Sequence, residues 1–119
     1  MKSYRELFVW QKGMDVVVSV YTLTSKFPKE EIYGLTSQMK RSAVSIPSNI
    51  AEGYARKHKQ EYIQFLRIAY GSGAELETQL EIAKKLHFAS EKEILQVENL
   101  LIEVMKMLNK FISSLAAKP

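Results

Sequence analysis

Cysteine is absent from this 119-residue chain, which excludes a thiol nucleophile, a cysteine-ligated zinc or iron–sulfur site and a disulfide framework. The same absence fits a reducing compartment, so the cytoplasm is the expected location. With three prolines and five glycines, the chain has too little of either for a collagen-like repeat or a Pro/Gly-rich disordered tract. Long apolar runs are missing too. Leu7 to Trp10 is among the longest, far short of the ~20 residues that span a bilayer. Met1-Lys2-Ser3 leads directly into charged residues, so neither a signal peptide nor a membrane span is expected. Histidine is limited to His58 and His87. No Glu-x-x-His motif exists and neither histidine has ligand spacing to another, which argues against a di-iron bundle or a zinc site. No metal and no cofactor are expected.

What the chain does contain is 46% hydrophobic and 25% charged residues, the profile of one compact domain. A chain of this length buries about two-thirds of its unfolded surface without covalent or metal staples. Helical periodicity is clearest toward the C-terminus. Leu66, Ala69, Gly73, Leu76, Leu80 and Ala83 step by threes and fours, with Tyr62 one turn earlier. Ile94, Val97, Leu101, Val104, Leu108, Phe111 and Leu115 do the same, as expected of helices packed lengthwise. Ser90 with Glu93 between the two series forms a capping box and predicts a turn followed by a new helix.

The first segment opens with Ser3 and Glu6, a second capping-box pattern. It continues through Leu7, Trp10, Met14, Val17 and Tyr21, with Val16, Val20, Leu23 and Phe27 as a stripe beside it. Phe27-Pro28 stops it. Pro28-Lys29-Glu30-Glu31 suits a short helical turn. A second long helix is expected after Gly34, spaced by Leu35, Met39, Ser42, Ile46, Ile50 and Tyr54. Pro47 inside it removes a backbone hydrogen bond and predicts a kink, or a split at Ile46 if Ser42, Ser45, Ser48 and Asn49 do not satisfy the freed groups. Helices over 4–26, 36–57, 60–87 and 91–115, joined by short connections, predict an all-α, up-down-up-down antiparallel four-helix bundle forming a single domain over residues 1–119.

Charge is concentrated. Between residues 40 and 67, Lys40, Arg41, Arg56, Lys57, Lys59 and Arg67 face only Glu52 and Glu61, while the remaining eleven basic and eleven acidic residues cancel. That segment therefore carries the whole net charge of +4 and is a candidate phosphate-contacting surface. Its residues also fit a second description: Arg56, Lys57 and Lys59 complement a helix C-terminus, and Glu52 precedes Arg56 by the four residues of a helical ion pair. Tyr54, Tyr62, Phe65 and Tyr70 lie nearby, either as stacking platforms for bases or as packing residues.

Catalytic patterns are not assembled. Glu77 and Glu81 are helical neighbours whose spacing fits a solvated, ion-paired face, with Lys85 four residues after Glu81. Gly71-Ser72-Gly73 lacks the Gly-Lys-Ser/Thr of a phosphate loop; with Ala69 and Ala74 it suits close helix packing. Apolar residues beyond the seams, Val18, Leu100 and Met107, point to self-association. No enzymatic activity is expected.

The segment Ser45-Ile46-Pro47-Ser48-Asn49-Ile50-Ala51-Glu52-Gly53 anchors a resemblance that runs from Leu7 to about Leu115. It is joined by Leu7, Val9 and Trp10, by Phe27-Pro28, Glu31, Gly34-Leu35, Gln38 and Arg41, and by Leu66, Ala69, Gly71-Ser72, Glu75-Leu76-Glu77-Thr78 and Leu80. In these residues the chain resembles the 23S rRNA intervening-sequence proteins, also called the S23 ribosomal protein family. Lys40 stands where that family often has arginine, and Gly73 where a larger apolar residue is common. The resemblance implies a four-helix bundle, a ring-like homopentamer and no known enzymatic activity. Some members are encoded within insertions in 23S rRNA genes. A similar branch serves diversity-generating retroelements alongside a reverse transcriptase and nucleic acid. The expected partners are thus further copies of the chain, RNA or other nucleic acid, or a protein such as a reverse transcriptase.

Overall fold

The computed structural model describes residues 2–119; Met1, the first residue of the opening Met1-Lys2-Ser3, lies outside them. Four helices form: α1 (Phe8–Thr24), α2 (Leu35–Arg56), α3 (Lys59–Lys85) and α4 (Glu91–Ala116), with 3-10 turns at Tyr4–Glu6 and Lys29–Glu31. No strand occurs among the described residues. Each helix packs on two others, α1 on α2 and α4, and α3 on α2 and α4. Only Lys57 and His58 join α2 to α3, and residues 86–90 join α3 to α4, so sequential helices must run antiparallel. The result is an up-down-up-down bundle measuring 48 × 21 × 20 Å.

The two C-terminal seams pack as their spacing predicts. Leu66, Ala69, Leu76, Leu80 and Ala83 of α3 are buried against Ile94, Val97, Leu101, Val104 and Leu108 of α4. On α1 the core face is the second of the two stripes, Val16, Val20, Leu23 and Phe27, and not the first. Met14 and Tyr21 are exposed and Trp10 and Val17 half-buried, whereas Val9, Gly13, Val16, Val20, Leu23 and Phe27 are buried. That buried series also steps by threes and fours, but Gly13 interrupts its hydrophobicity. α2 fills the space, with Ile46 Cγ2 and Pro47 Cβ at 3.5 and 3.6 Å from where a Gly13 Cβ would stand.

Helix ends follow local chemistry. Ser90 and Glu93 form the expected capping box: Ser90 Oγ accepts from the Glu93 N–H at 3.1 Å, and Glu93 Oε1 accepts from the Ser90 N–H at 3.1 Å. Ser3 and Glu6 form theirs as well, but it caps the 3-10 turn. Leu7, with φ −70° and ψ 123°, interrupts the chain before α1, so the helix expected from residue 4 begins at Phe8. The break lets Tyr4 pack edge-on against Trp10, their ring centroids 5.3 Å apart. At the start of α2, Glu31 Oε1 accepts from the Leu35 N–H at 3.1 Å. α3 ends at Lys85, with His87 in the left-handed region (φ 58°). There the Phe88 N–H bonds the Ala83 carbonyl at 3.0 Å and the His87 N–H bonds the Lys84 carbonyl at 3.1 Å, which is a Schellman motif.

Pro47 lies buried within a continuous α2, and no split occurs at Ile46. Beside it, Asn49 Nδ2 donates to the Ser45 carbonyl at 2.7 Å and to Ser45 Oγ at 2.9 Å.

Candidate nucleic-acid interface

Three of the six basic residues singled out by charge meet at the α2–α3 turn. Lys57 ends α2 in the left-handed conformation (φ 56°), and His58 stands extended before α3. Lys57, His58 and Lys59 line a cavity of about 390 Å³ whose other walls are Tyr54, Tyr62 and Leu115. Tyr62 packs edge-on against Tyr54 and Phe111, at 6.3 and 5.4 Å between centroids. Its hydroxyl is buried without a hydrogen-bond partner, and this burial, aided by the neighbouring Tyr54, pushes its pKa up to about 12. The phenol is therefore neutral and a donor throughout the physiological range.

The cations differ in how far they are already engaged. Arg56 is held by Glu52 at 3.3 Å and Glu61 at 3.5 Å, and lies 5.1 Å from the Phe65 ring centroid. The helical pair read from the Glu52–Arg56 spacing thus forms. His58 Nδ1 approaches Glu61 at 3.8 Å. Lys59 Nζ donates to the Lys118 carbonyl. Lys57 and Arg67 are exposed.

Lys40 and Arg41 are remote from this end. They precede Arg56 by at least fifteen residues on the same helix, an axial distance of ~22 Å. Lys40 Nζ sits over the Tyr21 ring of α1 at 4.7 Å. Arg41 Nη2 donates to Ser37 Oγ at 3.2 Å. The six residues form an extended set along α2 and α3 with one compact cluster at the turn.

A second feature was not identified from the sequence. Between α2 and α3 lies a polar groove of about 460 Å³, lined by Gln38, Arg41, Ser42, Ser45, Ser72, Glu75 and Gln79, with Tyr33 also contributing. Ser45 Oγ and Ser72 Oγ bridge the helices at 2.8 Å. Gln79 is only 8% exposed and its Oε1 has no partner. The available signal was a pair of polar stripes, Gln38-Ser42-Ser45-Asn49 and Ser72-Glu75-Gln79, each spaced by threes and fours beside an apolar seam. Half-buried Asn49 belongs to this network through Ser45, whereas Glu52 is exposed and ion-paired.

Other candidates are also placed. Gly73 lies under Met105 of α4, but Gly71 has no neighbour within 4 Å and Ala74 is exposed, so only part of the small-residue stretch serves packing. Leu100 and Met107 are half-buried against the core and are not a free face. Val18 is outward as its position predicts, and it is joined by Phe8 on α1 and by Leu95 and Ile102 on α4. Glu77 and Glu81 are exposed. Among the described residues, no group of three or more metal-ligating side chains converges, and no helix is long and apolar enough to cross a membrane.

The fold is similar to the crystal structure of a protein with unknown function from the S23 ribosomal protein family of Bacteroides thetaiotaomicron VPI-5482. The TM-score is 0.79 at 23% identity, covering 87% of this chain and 97% of the other. No curated protein matches the chain. The model of the family described as 23S rRNA-intervening sequence protein matches residues 5–110, and the chain belongs to that family.

Proposed function

We propose that this protein is a non-enzymatic, oligomeric bundle that binds structured RNA through the α2–α3 end. The carrying observation is the cavity in which Lys57, His58 and Lys59 surround Tyr54 and Tyr62. Cations next to aromatic surface suit a nucleic-acid strand, because phosphates take the charge and an unpaired base takes the ring. The 23S rRNA in the family's description supports RNA as the ligand class. Arg67 extends the surface along α3, and Arg41 and Lys40 extend it along α2. One such cluster makes few phosphate contacts, so assembly into a ring would raise affinity by multivalency.

The test is binding of nuclease-treated protein to labelled structured RNA, single-stranded RNA and duplex DNA at two salt concentrations. Exchanging Lys57 and Lys59 together for glutamate is expected to weaken RNA binding by at least about tenfold and to flatten its salt dependence. Helicity and assembly should remain unchanged. Unaltered affinity in that variant overturns the reading.

A protein-docking scaffold is the second reading, favoured by the outward Phe8, Val18, Leu95 and Ile102 and by the intramolecular engagement of Arg56. There a protein such as a reverse transcriptase is the partner, and the cations serve helix capping and solubility. Recovery of one stoichiometric protein without nucleic acid after crosslinking supports it.

A further inference from the structure

We propose that the polar groove between α2 and α3 is a recognition site for an unpaired guanine base. The inference deepens the nucleic-acid reading and rests on it for the source of the base. Its site is distinct from the α2–α3 turn.

The groove's chemistry is mixed in a specific way. Arg41 from α2 and Glu75 from α3 bring opposite charges to the two flanking helices. Arg41 spends one donor on Ser37, which leaves most of its five N–H groups available. Glu75 brings two acceptor oxygens. In the same groove Gln79 Oε1 is a buried acceptor without a donor, an arrangement that costs free energy until a ligand or water supplies one. At the rim stands Tyr33, 97% exposed, whose ring is available to a planar ligand.

Guanine meets these demands together. Its O6 and N7 are adjacent acceptors matched to an arginine fork. Its N1–H and one hydrogen of its N2 amino group are adjacent donors that match the two oxygens of a carboxylate, and the second N2 hydrogen is left for Gln79 Oε1. The Hoogsteen edge would face α2 and the Watson–Crick edge α3, with the base stacked on Tyr33, as unpaired RNA bases are commonly held. Adenine lacks the acceptor pair, and cytosine and uracil lack the paired donors beside an acceptor pair. A free aliphatic amino acid would satisfy both charges but offers Tyr33 no face.

The test compares short uridine oligonucleotides carrying one central guanosine, adenosine or inosine. Guanosine is expected to bind on the order of tenfold tighter than adenosine, with inosine, which lacks the 2-amino group, in between. Glu75→Gln should abolish the preference while leaving general affinity equal or higher, since it removes a negative charge. Exposed Glu75 tolerates this exchange without loss of helicity. Equal affinity for guanosine and adenosine, or a preference that survives Glu75→Gln, overturns the inference. A titration with guanosine monophosphate, followed on the Tyr33 ring resonances, separates the two readings. Nucleotide binding without RNA binding retains the groove and removes the RNA function. RNA binding without guanine preference does the reverse. Absence of both overturns both.

Discussion

Gly73 on α3 lies directly beneath Met105 on α4, so that a Cβ at Gly73 would stand 2.1 Å from Met105 Sδ and 3.2 Å from its Cε. Alanine there would gain about 1 kcal/mol of helix propensity but must displace a buried thioether. Overpacking of this kind typically costs about 1–3 kcal/mol. Gly73→Ala is therefore expected to lower stability by about 1 kcal/mol, with Met105 swinging aside to limit the loss. In a Met105→Ala background the same exchange should become stabilising. A double-mutant cycle by denaturant unfolding measures this; an identical effect in both backgrounds would contradict the packing.

His87 and Lys57 both occupy the left-handed region, where a side chain costs about 1–2 kcal/mol. His87→Gly should raise stability by about 1 kcal/mol through relief of the Schellman position. Lys57→Gly should do likewise while weakening RNA binding. A variant that melts later yet binds less separates the phosphate role of Lys57 from its role as a helix terminator. Retained affinity in Lys57→Gly would leave Lys57 only the latter role.

Acid should unfold the protein partly through Glu93. The hydrogen bond from Lys26 is the largest influence on its carboxylate, followed by those from the Ser90 backbone and side chain, and together they pull the pKa from 4.5 to about 2. Because the folded value is the lower one, the stabilisation is complete above pH 4.5 and is lost as pH falls from 4.5 toward 2. Thermal midpoints measured across that window should decline more steeply for the native chain than for Glu93→Gln. Parallel curves would show that the carboxylate is not engaged in solution.

Arg56 is neutralised by Glu52 and Glu61. If the α2–α3 end contacts phosphates, Glu52→Gln with Glu61→Gln should release that guanidinium and tighten RNA binding severalfold, with a steeper salt dependence. No gain, measured by the same oligonucleotide titration, would assign Arg56 to helix pairing alone.

Which elements were legible follows from how local their causes are. The Ser90–Glu93 box, the Glu52–Arg56 pair and the α3 and α4 seams depend on residues three or four apart, and all four are present in the folded chain. On α1 two apolar stripes were legible but not which one is buried, because Gly13 contributes no hydrophobicity to the buried one; its place is set by Ile46 and Pro47 arriving from α2. The Ser3–Glu6 box formed, yet it caps a separate turn because Leu7 leaves the helical conformation. Among the basic residues, position along the chain located the charged segment but not its partners. Whether a lysine is bare, or shares a carbonyl as Lys59 does with Lys118, depends on a chain end 59 residues away.

By itself, then, the sequence determined the helical class, the approximate helix limits and the segment that carries the net charge, because periodicity, capping and charge density act over a turn or two of chain. Tertiary structure alone decided the Ser45–Ser72 bridge and the orphaned Gln79 oxygen. Those depend on the register in which antiparallel α2 and α3 meet, and that register is set by packing across helices through Gly53, where a Cβ would lie 2.9 Å from Phe65 Cβ, and not by local spacing.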